Sequence, residues 1–537
     1  MKILITDGLA PEGLARLRAH ADVAVHQGLT LDDLRAAIAD ADAVVVRSGT
    51  RLDGEILAYA RALRVIARAG VGVDNIDVEA ATRRGILVLN TPDSSTISTA
   101  EHTMAMMLAL VRHLPTAHLS TSRGEWQREK FTGVELYGKT LGIVGLGKIG
   151  SEVAHRAAAF GMRVIAHDPF VSAERAARFG AELTSWEAVL AQSDLLTVHV
   201  PLTPRTHHLL GAPQFAQLKP GAFVINCARG ELVDQEALLA VLDEGSVGGA
   251  ALDVFETEPP RQMRLLQHPR VIVTPHLAAS TAEAAHNISL EIAEQVLRAL
   301  AGQPVQGAVN LPVLQEEVWV RLRPFADLAH TLGAVAQQLT DSPIQAIECA
   351  YEGEVASVDT TLLTASFLVG LLEMILDQPI NVVNAVLLAR ERGIDVSVRG
   401  RDHSEDFSSL ITARLHTAAG NLVLGGTLLG RREPRITHLD GYRIDLVPSP
   451  HMLFVWNVDR PGMIGRVGSL LGSHAVNIAG MQVGRAAVGG TAVMVLTVDT
   501  PVPEAVVQEI AHLDGISALK AVHVAHSDAQ WAQAHRT

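Results

Sequence analysis

Residues 140–161 read TLGIVGLGKIGSEVAHRAAAFG. An apolar run from Thr140 to Val144 meets Gly145, Gly147 and Gly150 in the spacing G-x-G-x-x-G, and alanine-rich helical sequence follows. That order predicts a strand, a tight turn and a helix, the opening βα unit of a doubly wound sheet. The first glycine permits the turn, the second lets a pyrophosphate approach the backbone, and the third packs helix on strand. Free N–H groups at the helix start then face the anion. A glycine-rich turn with no ligand has the same local pattern, so the next strand decides. RVIAHD ends in Asp168, eighteen residues after Gly150, close to the spacing of an acid that accepts hydrogen bonds from both ribose hydroxyls. A carboxylate there repels a 2′-phosphate and so favours NAD over NADP. The same side chain could instead cap the turn HDPF, or do both.

Outward from this unit the rhythm repeats. SDLLTVHVP, AFVINCAR, GAALDVF and RVIVTPHL continue one parallel sheet, while KILITD, ADVAVHQ, ADAVVVRS, LRVIARAG and GILVLN make another before it. Between them TAEHTMAMMLALVR, Thr99 to Arg112, reads as an apolar helix long enough to bridge two lobes. A second helix, Ser280 to Ala301, carries Ile288, Ile292 and Val296 on one face and would return the chain, making the second lobe an insertion in the first. AGQPVQGAVNLP, Ala301 to Pro312, has the Gly and Pro signals of a linker.

With 537 residues the chain suggests three or four domains. It is 48% apolar and 19% charged, with mean hydropathy +0.23, so it can bury large cores. No apolar run is long enough to cross a bilayer and the N-terminus opens as a strand, which makes a cytoplasmic location the default. A formal charge of −14 and 4% aromatic residues disfavour nucleic-acid binding. Two cysteines, Cys227 and Cys349, form neither a disulfide framework nor a metal cluster, and no metal is expected.

Strand ends in an open α/β sheet face the ligand crevice. The strand AFVINCAR ends at Arg229, GAALDVF leads through Glu256 and Thr257 to Glu258, and the strand VIVTPH ends at His276. Alone, each has a plainer reading as a surface charge, a solvated acid or a structural histidine. Together they form a set suited to oxidising a 2-hydroxy acid: an imidazole base for the hydroxyl proton, a carboxylate to orient it, and a guanidinium to hold the substrate carboxylate. In the first lobe, VVVRSGT places Arg47 and VIARAG places Arg68 at strand ends, where two guanidinium groups suit phosphate and carboxylate. Ordinary surface salt bridges would use them as well. NTPDSSTIS adds the hydroxyls of Ser94 and Ser95 before the bridging helix.

GLGKIG, HDPF, NCARGELVD, ALDVFETEPP and TPHLAAST together resemble the D-isomer-specific 2-hydroxyacid dehydrogenases over residues 1 to about 310. The resemblance implies Arg229, Glu258 and His276 as catalytic residues. It also implies Lys148, Ile149 and Asp168 at the dinucleotide, with Cys227, Ala228 and Asp253 near the nicotinamide. Val71 stands where relatives often have Thr, and Ala278 where Gly is common. VDRPGMIGRVGSLLG with NIAGMQVGR resembles an ACT domain, a regulatory module that binds serine between paired copies, with Asp459, Gly462 and Asn477 at the matching positions. The segment before it resembles the intervening domain of the long forms of this family. Its GRREPRITH gathers Arg431, Arg432, Arg435 and His438, either a second anion site or a solvated basic turn.

The expected organisation is therefore two doubly wound lobes, flavodoxin-like and Rossmann, followed by an α+β intervening domain and a ferredoxin-like ACT domain. Residues 1–98 with 281–310 would bind substrate, 99–280 NAD, with 311–448 intervening and 449–527 the ACT unit. The implied activity is NAD-dependent oxidation of 3-phospho-D-glycerate in serine synthesis, by a homodimer or homotetramer with serine as effector. A glyoxylate or hydroxypyruvate reductase, or a dinucleotide-sensing binding protein without turnover, are the competing readings.

Overall fold

The computed structural model describes residues 1–430 and 432–524. Its first sheet contains β1 (Lys2–Ile5), β2 (Asp22–Val25), β3 (Ala43–Val46), β4 (Val65–Arg68) and β5 (Leu87–Leu89), in the order β2-β1-β3-β4-β5. All pairings are parallel. Ala43, Val44, Val45 and Val46 in β3 are all buried, as a parallel sheet covered on both faces requires.

The second sheet contains β6 (Thr140–Val144), β7 (Arg163–His167), β8 (Ala181–Leu183), β9 (Leu195–Val198), β10 (Ala222–Asn226), β11 (Val247–Leu252) and β12 (Val271–Val273). Its order is β12-β11-β10-β9-β6-β7-β8, again parallel throughout. The order reverses between β6 and β9, and in such sheets the ligand crevice lies outside the carboxyl ends at that reversal. The helix expected from Thr99 begins at Thr96 and ends at Val111, with Met104, Met106, Met107 and Leu110 buried. The helix Ala282–Leu300 buries Ile288, Ile292 and Val296. By its contacts the chain divides into two compact units. One comprises Met1–Leu9, Leu14–Asn90 and the chain from Ile292 onward, the other Ala10–Gly13 and Thr91–Glu291.

The stretch that reads as a linker is tied to β5. Asn90 N donates to Gly307 O (2.8 Å) and Val309 N to Val88 O (2.8 Å), while Asn310 Oδ1 accepts from Val88 N (2.9 Å). Its Gly and Pro residues let the chain turn onto the sheet edge, where the backbone groups find partners.

The third sheet has β13 (Ile344–Gly353), β14 (Asp395–Arg401), β15 (Ser409–Thr417), β16 (Gly420–Leu429), β17 (Glu433–Leu439) and β18 (Tyr442–Leu446), ordered β14-β13-β15-β16-β17-β18. Only β13 and β14 pair in parallel. Helices Glu316–Leu339 and Thr361–Leu372 contribute much of its core. They cross where a Cβ on Gly333 would lie 2.0 Å from Phe367 O, and one on Gly370 2.0 Å from His330 O.

The last sheet, β19 (His451–Val458), β20 (Ile478–Arg485), β21 (Thr491–Val498) and β22 (Ile516–His523), is antiparallel in the order β20-β21-β19-β22. With helices Met463–Ser473 and Glu504–Ala511 it completes the βαββαβ pattern of a ferredoxin-like fold. The four sheets are the fold class the sequence predicts. Among the described residues no helix is long and apolar enough to cross a membrane.

Candidate active site

The three glycines of the opening stretch occupy three different environments. Gly145 has φ +90°, and a Cβ there would lie 2.7 Å from Val200 Cγ1 and 2.8 Å from His199 O. Only glycine meets both demands, because its φ lies in the left-handed region. A Cβ on Gly150 would lie 2.1 Å from Gly145 O, so the helix Lys148–Ala159 sits directly on the turn. At Gly147 nothing lies within 4 Å of an added Cβ. The backbone is thus bare where the helix begins, and its first N–H groups have no side-chain cap. This is a cradle that an anionic pyrophosphate fits.

Asp168 bridges two loops. Oδ2 accepts from Leu146 N in the glycine turn (2.8 Å), and Oδ1 from Phe170 N (2.9 Å). The turn cap left open by sequence is therefore made, and the same carboxylate is fastened beside the cradle. Lys148 Nζ pairs with Asp93, next to Ser94, whose hydroxyl donates to Glu291. Ser95 is buried at the start of the helix Thr96–Val111 without a side-chain cap bond. Ile149 packs against the core of this unit. His199, beyond β9, has Nδ1 buried without a hydrogen-bond partner, and burial pushes its imidazole down to about 4.

Beyond β10, β11 and β12 the chain builds a second constellation. Asp253 is fully buried. Its Oδ1 accepts from Thr274 Oγ1 (2.6 Å) and Leu277 N (2.7 Å), its Oδ2 from Ala278 N (2.9 Å), and His102 Nε2 lies 3.3 Å from Oδ1. Burial opposes ionisation, but the hydrogen bonds from His102, Thr274, Leu277 and Ala278 outweigh it and hold this carboxyl below its ordinary value. The carboxylate fixes the loop on which His276 stands. His276 N donates to Asp253 O (2.9 Å), and the residue takes φ +55°. His276 Nδ1 then meets Glu258 Oε2 at 2.8 Å.

Neither His276 nor Arg229 lies on a strand. β12 ends at Val273 and β10 at Asn226, three residues earlier in each case. Pro275 and the left-handed backbone of His276 break the ladder, since proline has no N–H to donate. Around Arg229, Asn226 Nδ2 donates to Arg229 O (2.8 Å), Asn226 Oδ1 accepts from Ala228 N (3.0 Å), and Arg229 Nη1 donates to Ala228 O (2.6 Å). A Cβ on Gly230 would lie 1.9 Å from Phe255 C, so this loop rests on the one that leads to Glu258. The imidazole and carboxylate are paired, and Arg229 lies in the loop that follows β10, a neighbouring strand of the same sheet. The Cys227 side chain points into the core, and burial first, then the charge of Asp253, pushes its thiol up to about 12.

Three of the groups that shape the site are not apparent in the sequence. His102 lies in an apolar helical run and reads as a core residue. The Lys148 pair with Asp93 joins segments far apart in the chain. His199 follows β9 without a motif around it.

Residues 104–278 match the D-isomer specific 2-hydroxyacid dehydrogenase NAD binding domain, 321–440 the D-3-phosphoglycerate dehydrogenase intervening domain, and 451–515 the ACT domain. The D-3-phosphoglycerate dehydrogenase of Methanocaldococcus jannaschii is 43% identical over 98% of this chain and 100% of its own. That of Bacillus subtilis is 40% identical over 97% and 99%. The chain belongs to the D-3-phosphoglycerate dehydrogenase family. Among solved structures, the TT0316 protein of Thermus thermophilus aligns with TM-score 0.54 and 37% identity, covering 57% of this chain and 100% of that one. A D-lactate dehydrogenase from Aquifex aeolicus, complexed with NAD and lactic acid, aligns with TM-score 0.52 and 28% identity, covering 58% and 100%.

The remaining expected residues of this phosphoglycerate dehydrogenase relative lie in the other compact unit. Arg47 borders an open polar recess of about 360 Å³ with Asp7, Gly8, Gln27 and Ser48, and Arg47 N donates to Asp7 Oδ2 (2.7 Å). Arg68 ends β4 and folds over Gly70, where a Cβ would lie 1.6 Å from Nη1. Val71 O accepts from Asn90 Nδ2 (2.6 Å). In the ACT unit Asp459 Oδ2 accepts from Arg485 Nη1 and Gly489 N, both at 3.3 Å, and Asn477 Nδ2 donates to Asp499 Oδ2 (2.6 Å). Gly462, with φ +87°, opens the helix Met463–Ser473 and an open recess of about 510 Å³. Of the basic turn, Arg431 lies outside the described residues. Arg435 pairs with Glu433 and Asp445 at 3.1 and 3.2 Å, and His438 Nδ1 lies 2.9 Å from Thr437 Oγ1. Arg435 of GRREPRITH is thus neutralised by neighbouring carboxylates.

Proposed function

We propose that this chain oxidises 3-phospho-D-glycerate at its 2-hydroxyl with NAD, the first step of serine synthesis, using His276, Glu258 and Arg229. The observation that carries the reading is the 2.8 Å pair between His276 Nδ1 and Glu258 Oε2 beyond the carboxyl ends of a sheet whose glycine turn fits a pyrophosphate. With Nδ1 occupied, the Nε2 edge is left to take the hydroxyl proton, and Glu258 stabilises the imidazolium that results. When bound, NAD supplies the acceptor for the hydride that leaves the same carbon. Arg229 holds the substrate carboxylate and polarises the developing carbonyl oxygen. Gly145, Gly147, Lys148, Ile149 and Gly150 receive the pyrophosphate, and Asp168 the adenine ribose. Cys227 and Ala228 border the nicotinamide through their backbone, and Asp253 holds the loop beside it. Arg47 and Arg68 take the substrate's anionic groups, with Ser94 and Ser95 as further donors.

Serine acts as effector through the ACT unit, with Asp459, Gly462 and Asn477 as its contacts, in a cytoplasmic homo-oligomer. Initial rates of NADH formation with 3-phospho-D-glycerate, glycolate and D-glycerate, each with and without serine, test both parts. Turnover confined to the phosphorylated acid supports the assignment. Preference for the unphosphorylated acids points to a glyoxylate or hydroxypyruvate reductase, and NAD binding without turnover to a sensor.

A further inference from the structure

We infer that His208 is a positioning residue for the proposed His276–Glu258 pair, acting through Glu256. The inference rests on the functional reading above. His208 has φ +49°, a left-handed conformation that costs a residue with a Cβ and that glycine would adopt freely. A side chain kept at such a position calls for a compensating contact, and His208 has one. Its Nε2 lies 3.2 Å from Glu256 Oε1 and its Nδ1 4.0 Å from Asp234 Oδ2, while the His207 ring stacks on it with centroids 4.1 Å apart. The backbone is fixed as well, since His208 N donates to Glu231 O (2.7 Å).

Glu256 is the near end of the segment that carries Glu258. Its Oε1 also accepts from Gln235 N (3.1 Å), Phe255 N donates to Glu258 Oε1 (3.2 Å), and Gly230 presses on the Phe255 carbonyl. Two carboxylates two residues apart therefore face two histidines: Glu256 meets His208 and Glu258 meets His276. The first pair holds the loop from one side so that the second can present its oxygen to Nδ1. Removing His208 leaves Glu256 with only the Gln235 amide, and the Glu258 carboxylate then samples a wider range of positions. Small losses of alignment at a general base reduce turnover more than binding.

The test uses His208→Gly and His208→Gln in the full chain, beside the wild type. Glycine relieves the backbone strain, so a residue with a merely local structural role predicts an equal or higher Tm with unchanged kinetics. The positioning role predicts the same Tm behaviour together with a kcat lower by about three- to tenfold, a KM for NAD within about twofold, and an acid limb of kcat moved to lower pH. His208→Gln, whose amide nitrogen reaches the position of Nε2 and still donates to Glu256, recovers part of the loss. His208→Gly with wild-type kcat and pH profile overturns the positioning role alone. A wild type with no turnover on any 2-hydroxy acid overturns the functional reading instead.

Discussion

Asp168 shows how one side chain serves two ends. Its oxygens hold the glycine turn through Leu146 N and the turn HDPF through Phe170 N, while the proposed ribose contact uses the acceptor capacity that remains. Asp168→Ala should therefore do more than weaken the preference for NAD over NADP. It should also lower stability by about 1–2 kcal/mol, because two backbone donors lose their partner. Cofactor kinetics with both dinucleotides and a thermal melt read the two effects separately, and an unchanged preference removes the ribose assignment. The two thiols make a second residue-scale prediction. Burial pushes Cys227 and Cys349 each to about 12, so both remain protonated at neutral pH. Thiolate is the reactive form. Neither cysteine should be alkylated by iodoacetamide at pH 8 in the folded chain, and both should react in denaturant.

At the scale of elements, Asp253 joins the end of β11 to the loop that follows β12. Its carboxyl is depressed in the folded state, so its contribution is fully present above the unfolded value of 3.8 and is lost as pH falls through the lower folded value. Acid unfolding should therefore steepen below about pH 4. Asp253→Asn should flatten that dependence while costing about 2 kcal/mol or more at neutral pH, since an amide nitrogen would face N–H donors. A melt series from pH 3 to 7 on both chains measures this. The same elements show what periodicity reveals and what it conceals. The βα unit at Thr140 was readable because apolar runs, glycines and an acid at fixed spacing are local signals. The loops after β10 and β12 were not, since Arg229 and His276 leave the ladder three residues early through contacts with Asn226 and Asp253. The intervening sheet also resisted reading, because β14 pairs in parallel with β13 across helices lying between them in sequence. Its strands carry no motif that ties one to the other.

At the scale of the whole molecule, the ACT unit is fastened to the intervening domain by specific polar contacts. Gln338 receives His523 N at Oε1 (2.8 Å) and donates to His523 O (2.7 Å), Lys520 pairs with Asp341, and Tyr442 donates to Thr491 Oγ1 (2.8 Å). If serine at the ACT unit is to affect turnover, these contacts belong to the path by which the two domains share a state. Tyr442→Phe should leave turnover without serine unchanged and raise the serine concentration for half inhibition by about two- to fivefold, the effect of one hydrogen bond worth about 0.5–1 kcal/mol. An unaltered inhibition curve would remove this contact from the path.

The central claim is that His276, held by Glu258, is the base of an NAD-dependent oxidation. Its most direct measurement is NADH formation from NAD and 3-phospho-D-glycerate at alkaline pH by the wild type and His276→Ala, with NAD affinity determined on both. Turnover by the wild type, a loss of about 10²- to 10⁴-fold in the variant and NAD affinity within about twofold are predicted. A variant that keeps turnover within tenfold of the wild type would contradict it.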